Sequence, residues 1–135
     1  MQAAPVETAA QKQAREAAHV KYLADMKIKQ EAEAAAKLAA KGRAKKLLMD
    51  TLSKGQRETI EKFGYFDVAV GGKTYRIRQG THGNVRLLDG TGKEVQKFCV
   101  QPDAVPDEDA MLAQKLWLEA DEAEFLKVAN MTRLT

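Results

Sequence analysis

The sequence predicts an α+β fold: a long N-terminal helix, a small four-stranded antiparallel meander, and C-terminal helices packed on it. Three observations carry this reading. Residues 9–52 are dominated by Ala, Lys, Glu and Gln and contain no proline, a composition that favours helix. Residues 66–100 form four short alternating runs parted by Gly-rich breaks, the signature of hairpins. After Pro106 the chain returns to helical spacing behind an acidic start, which suits the positive end of a helix dipole. The expected organisation is a disordered lead over 1–8, an extended Ala/Lys-rich helical arm over 9–46 and a compact α+β domain over 47–135.

The arm would reach roughly 50 Å or more at 1.5 Å per residue, with Gly42 as its single breaker. Its apolar content is mostly alanine, with larger groups at Val20, Tyr22, Leu23, Met26, Ile28 and Leu38. These sustain no heptad, so a self-contained coiled coil is poorly supported. A long helix with little to bury is marginal in isolation. It is therefore either a solvated linker or an arm that docks on a partner. Near Gly42 the charge turns positive: Lys37, Lys41, Arg43, Lys45 and Lys46 fall within ten residues. The cluster can meet phosphates nonspecifically or form a solvated basic face.

Leu47, Leu48, Met49 and Leu52 restore an apolar stripe. Ser53 and Gln56 have capping-box spacing, so a second helix is expected to run to about Lys62 and stop at Gly64. Leu48, Leu52, Ile60 and Phe63 should cover one face of the meander. In the strands, Phe66, Val68, Val70, Tyr75, Ile77, Val85 and Leu87 point inward by alternation. Gly71-Gly72 suits a two-residue primed turn. In the last strand Phe98 and Val100 are read as inward, with a bulge near Val95. In the tail, Met111, Leu112, Leu116, Trp117 and Leu118 share one helix. Asp121 and Glu124 start another, with Asn130 as its C-cap. Trp117 packs on the domain or anchors a partner.

Charge is unevenly spread. Residues 1–62 carry thirteen Lys/Arg against eight Asp/Glu, residues 63–100 six against three, and residues 101–135 three against eight. A basic front and an acidic rear can meet different partners or each other. One cysteine, Cys99, excludes an internal disulfide and a Cys-based metal site and fits a reducing setting. No apolar signal core opens the chain and no run approaches the roughly 20 residues of a membrane span. A protein not secreted by a signal peptide, at home in a reducing interior or in a particle assembled there, is expected.

From Leu47 onward the chain carries a set of short motifs: Gly64-x-Phe66-x-Val68, Tyr75-x-Ile77-x-x-Gly80, Gly83-Asn84-Val85, Asp89-x-x-Gly92 and Cys99-x-x-Pro102. The tail adds Pro106-x-x-Asp109-x-Met111-Leu112-Ala113-Gln114-Lys115-Leu116, then Asp121-Glu122, Phe125 and Ala129-Asn130. Over about two-thirds of the chain this pattern resembles a family of short proteins found in tailed-phage and bacterial genomes. The resemblance implies a phage context and carries over no activity and no site residues. The Ala/Lys arm departs from it.

No residues assemble into a catalytic set. Cys99 and His82 sit on neighbouring segments, but no orienting acid or donor pocket accompanies them. Asp103, Asp107, Glu108 and Asp109 lack the alternating ligand and glycine pattern of a calcium loop and read as helix capping. Gln79–Gly83 precedes no helix, so it reads as a hairpin loop rather than a phosphate loop. No enzyme activity, metal or cofactor is expected. The outward row Thr74, Arg76, Arg78, Arg86 and Lys97, with Lys73 and Lys93 near its ends, predicts a compact basic patch on a face without exposed aromatics. The candidate partner-binding residues are therefore Lys37, Lys41, Arg43, Lys45, Lys46, Arg76, Arg78, Arg86 and Trp117. The functional expectation is a non-enzymatic structural or assembly protein, a virion or capsid-associated component in a multi-copy protein assembly. The alternative is a small nucleic-acid-binding or regulatory module.

Overall fold

The computed structural model describes residues 4–80, 83–100 and 105–134. His82, Pro102 and Asp103, each named above, lie outside the described residues, as does part of the lead over 1–8. Helix α1 runs Ala9–Thr51 and α2 Lys54–Phe63. Strands β1 to β4 follow at Tyr65–Val70, Lys73–Arg78, Val85–Leu88 and Glu94–Cys99. Helices α3 and α4 span Asp107–Ala120 and Glu122–Val128, and β5 spans Asn130–Arg133. The chain divides into two compact units, Met1–Ala39 and Ala40–Thr135, so residues 40–46, read as arm from the sequence, belong to the second.

Helix α1 passes through Gly42 unbroken. Its start is fixed by a device the sequence reading left in the lead. Thr8 Oγ1 accepts from the Gln11 amide at 3.1 Å, and the Thr8 amide donates to Gln11 Oε1 at 2.9 Å, a reciprocal capping box. The predicted box at Ser53 and Gln56 is present, and Gly64 ends α2 in the left-handed region at φ 75°.

The sheet is an antiparallel meander in the order β1-β2-β3-β4-β5. It has five strands, not the expected four. Ala129, not Asn130, caps α4 in an extended conformation, and Asn130 already pairs with Cys99 as the first residue of β5. Four residues are too few to show alternation, and the partner strand lies some thirty positions back, so local pattern carries no signal for it. Gly71 and Gly72 both have positive φ, 60° and 77°, as the primed turn demands. Leu87 faces Gln96 while Leu88 faces Glu94. Val95 is thus an extra residue on β4, a bulge where the sequence placed one.

The core of the second unit joins Leu48 of α1 and Leu52 just past its end, Phe66, Val68, Tyr75, Ile77, Val85 and Phe98 of the sheet, and Met111, Leu112, Leu118 and Phe125 of the tail helices. Ile60 packs against its margin. Phe63 does not join it: it is 61% exposed and stacks on Tyr65, with ring centroids 5.7 Å apart and 17° between planes. The reversal at Gly64 brings Phe63 alongside the first strand residue, whose side chain lies on the face away from the helices.

Candidate functional site

Pairing carries one row of side chains across all five strands on that outer face: Asp67, Arg76, Arg86, Lys97 and Thr132. Like charges directly opposite each other destabilise a sheet, and Arg76 faces Arg86. The two guanidinium groups turn apart. Arg76 grips Asp67 with both ends of its fork, at 2.9 and 3.2 Å. Arg86 Nη1 reaches Glu94 at 3.2 Å, and its Nε donates to the Gly83 carbonyl at 2.6 Å. Arg78 also meets Glu94, at 3.4 Å. The hydrogen bond to Asp67 raises the Arg76 pKa further above its ordinary value, against the opposing effect of burial.

The expected basic patch is therefore partly neutralised. Four cations, Arg76, Arg78, Arg86 and Lys97, share the face with Asp67 and Glu94. Lys73, expected near its end, instead has the strand parity of inward Tyr75 and pairs with Glu122 of α4 at 3.8 Å, on the helix side of the sheet. The expectation of a face without aromatics is corrected too. Tyr65 lies opposite Arg78 on this face, with the Arg76 guanidinium 3.9 Å above its ring. Phe63 stacks as the outermost ring, with Lys62 Nζ 5.9 Å from its centroid. The sequence reading began the strand at Phe66 and so left Tyr65 out, although alternation back from inward Phe66 turns Tyr65 outward.

The cationic residues of α1 separate by environment. Lys37 lies in the first unit and is exposed. Arg43, Lys45 and Lys46 are exposed within the second unit, where Ala44 and Leu48 make the buried face of α1. Lys41 pairs with Glu108 at 3.2 Å. Glu108, read as helix capping, instead turns inward: its side chain is 7% exposed, and Oε2 has no hydrogen-bond partner among the described residues. Both residues line a cleft of about 350 Å³ with Lys45, Leu48, Met49 and Met111.

Trp117 is half-buried and meets Phe125 edge-on at 5.5 Å, so it consolidates the core rather than standing free as an anchor. Cys99 lies opposite Asn130 on the outer face and is partly exposed. The described residues hold no group of three or more His, Cys, Asp or Glu placed to bind a metal, and no helix among them is long and apolar enough to cross a membrane.

In the first unit no described residue of α1 is buried. Val20, Ile28 and Leu38 are 65%, 65% and 73% exposed, with Tyr22 and Leu23 above half. The chain matches no protein-family model, no curated protein and no solved structure.

Proposed function

We propose that this protein is a non-catalytic assembly protein that docks on partner proteins through the exposed helical arm, with its α+β unit as a platform. The observation that carries this is the unburied run of α1 from Ala9 to Ala39 with its large apolar side chains in solvent. Burying a Val, Leu or Ile side chain contributes about 1.5–3 kcal/mol, so a partner surface supplies what the arm lacks on its own. The phage resemblance supplies the setting: a virion or capsid-associated component in a multi-copy assembly, in the particle or the host cytoplasm.

Two measurements test this. Mass spectrometry of purified particles should find the chain; its absence ends the virion reading. Co-purification of partner proteins with the full chain should fall about tenfold or more for Leu23→Glu combined with Ile28→Glu, and unchanged recovery would end the docking reading.

A second reading, a small nucleic-acid-binding or regulatory module, draws on the Phe63–Tyr65 stack beside Arg76 and Arg78, since aromatic rings offer bases a stacking surface. The pairing of Arg76, Arg78 and Arg86 to carboxylates counts against it. A single-stranded DNA titration at two salt concentrations decides: negligible binding at low salt eliminates this module.

A further inference from the structure

The two edges of the sheet are finished differently. Along β1, α2 packs beside the strand, and Gln56 Nε2 donates to the outward carbonyl of Asp67 at 2.8 Å. Along β5, all four residues are exposed, and no hydrogen bond between described residues engages the outer side of the strand. Exposed edges are ordinarily blunted by shortness, proline, bulges or charges, and β5 has the first of these in its four residues. Asn130-Met131-Thr132-Arg133 carries one charge and no proline.

The free groups on this edge can be assigned. Leu134 N donates to Val95 O at 3.0 Å. In the alternation of an antiparallel ladder, Thr132 and Asn130 therefore also bond inward to β4, opposite Lys97 and Cys99. Met131 and Arg133 aim their N–H and C=O groups outward.

We propose that β5 pairs with β5 of a second copy of this chain, antiparallel about a two-fold axis, joining two sheets into one of ten strands. The register follows from the outward groups. Met131 exchanges both backbone hydrogen bonds with Arg133 of the second copy, and Arg133 with its Met131, giving four. Thr132 then faces Thr132 across the axis as a close pair without hydrogen bonds. A slip that sets Arg133 against Arg133 opposes like charges. One that sets Met131 against Met131 keeps two of the four bonds within the strand. The favoured register opposes no like charges and sets Met131, 46% exposed, against the aliphatic stem of Arg133. This contact is independent of docking by the arm and supplies a way for copies to associate in pairs.

Sedimentation of the full chain over a concentration series tests the pairing, with a monomer–dimer equilibrium expected. Met131→Pro deletes an outward N–H and spares the β4 ladder. It should weaken dimerisation about tenfold or more by removing two hydrogen bonds per dimer, with the far-ultraviolet circular dichroism retained. In a Cys99→Ser background, Thr132→Cys should form a disulfide-linked dimer on mild oxidation, while Met131→Cys should not. A chain that stays monomeric at the highest accessible concentration overturns the proposal. So does a dimer that cross-links no better through position 132 than through 131.

Discussion

The side-chain amides of Asn84 and Gln114 face each other in a reciprocal pair. Asn84 Nδ2 donates to Gln114 Oε1 at 2.7 Å, and Gln114 Nε2 donates to Asn84 Oδ1 at 3.0 Å. Gln114 also donates to the Val100 carbonyl at 2.7 Å, and Asn84 to that of Arg78 at 3.3 Å. Both residues are buried, at 1% and 4% exposure. The pair thereby locks α3 to the ends of β2 and β4 and to the residue preceding β3.

Replacing Gln114 by Leu should cost about 2–4 kcal/mol, because it takes the partner from Asn84 Oδ1 and the side-chain donor from the Val100 carbonyl, leaving Asn84 only its bond to Arg78. Urea denaturation measures this. The companion double variant Asn84→Ala/Gln114→Leu should lose less than the sum of the two single losses.

Tyr75 donates its hydroxyl to Glu122 at 2.7 Å, tying the sheet to α4. Burial first, then the hydrogen bond and charge of Glu122, push its pKa well above the ordinary phenol value. A raised folded pKa means the contribution to stability is complete below the unfolded value of about 10 and is lost as pH rises beyond it. Tyrosinate absorbance should show one phenol resisting ionisation until the protein unfolds. Tyr75→Phe should delete that step and flatten the alkaline loss of stability.

The Arg76 guanidinium that grips Asp67 also lies over the Tyr65 ring, in a partly exposed setting. Its expected worth is modest, about 0.5–1 kcal/mol. Asp67→Asn should cost about that much and leave Arg76 facing Arg86 with less to hold it away. Single-stranded DNA binding, if it occurs, should then strengthen. A double-mutant cycle with Arg76→Ala isolates the pair.

The caps of α2 make a sharper prediction about stability. Ser53→Ala removes the bond to the Gln56 amide and should cost about 1 kcal/mol. Gly64→Ala meets no close atom yet must hold φ 75°, a strain of about 1–2 kcal/mol. Thermal unfolding should rank both below the wild type.

The Asp89 turn offers a test of acid behaviour. Its carboxylate accepts from the Thr91 hydroxyl and from the Lys93 and Thr91 amides, which holds its pKa below the ordinary value, the hydroxyl contributing most. A depressed folded pKa makes a contribution that is present above the unfolded value and lost as pH falls through the folded one. A carboxyl-detected titration should place Asp89 below the usual range, and Thr91→Val should move it back.

Much of this was written in short-range sequence. Composition determined the long helix, alternation determined the inward sets of the strands, and Ser53, Gln56 and Gly64 determined the bounds of α2. The two-residue turn at Gly71-Gly72 also fixes the register that sets Asp67 opposite Arg76, so that ion pair was readable once the turn was known. The Thr8–Gln11 box was readable by the same spacing rule. What only the tertiary structure decided were relations between remote segments. The pairing of Asn130–Arg133 with β4, the inward turn of Glu108 to Lys41, the shared use of Glu94 by Arg78 and Arg86, and the Asn84–Gln114 pair all join residues that no local period connects. Their geometry is set by how α3 and α4 settle on the sheet, and packing decides that only after each element has formed.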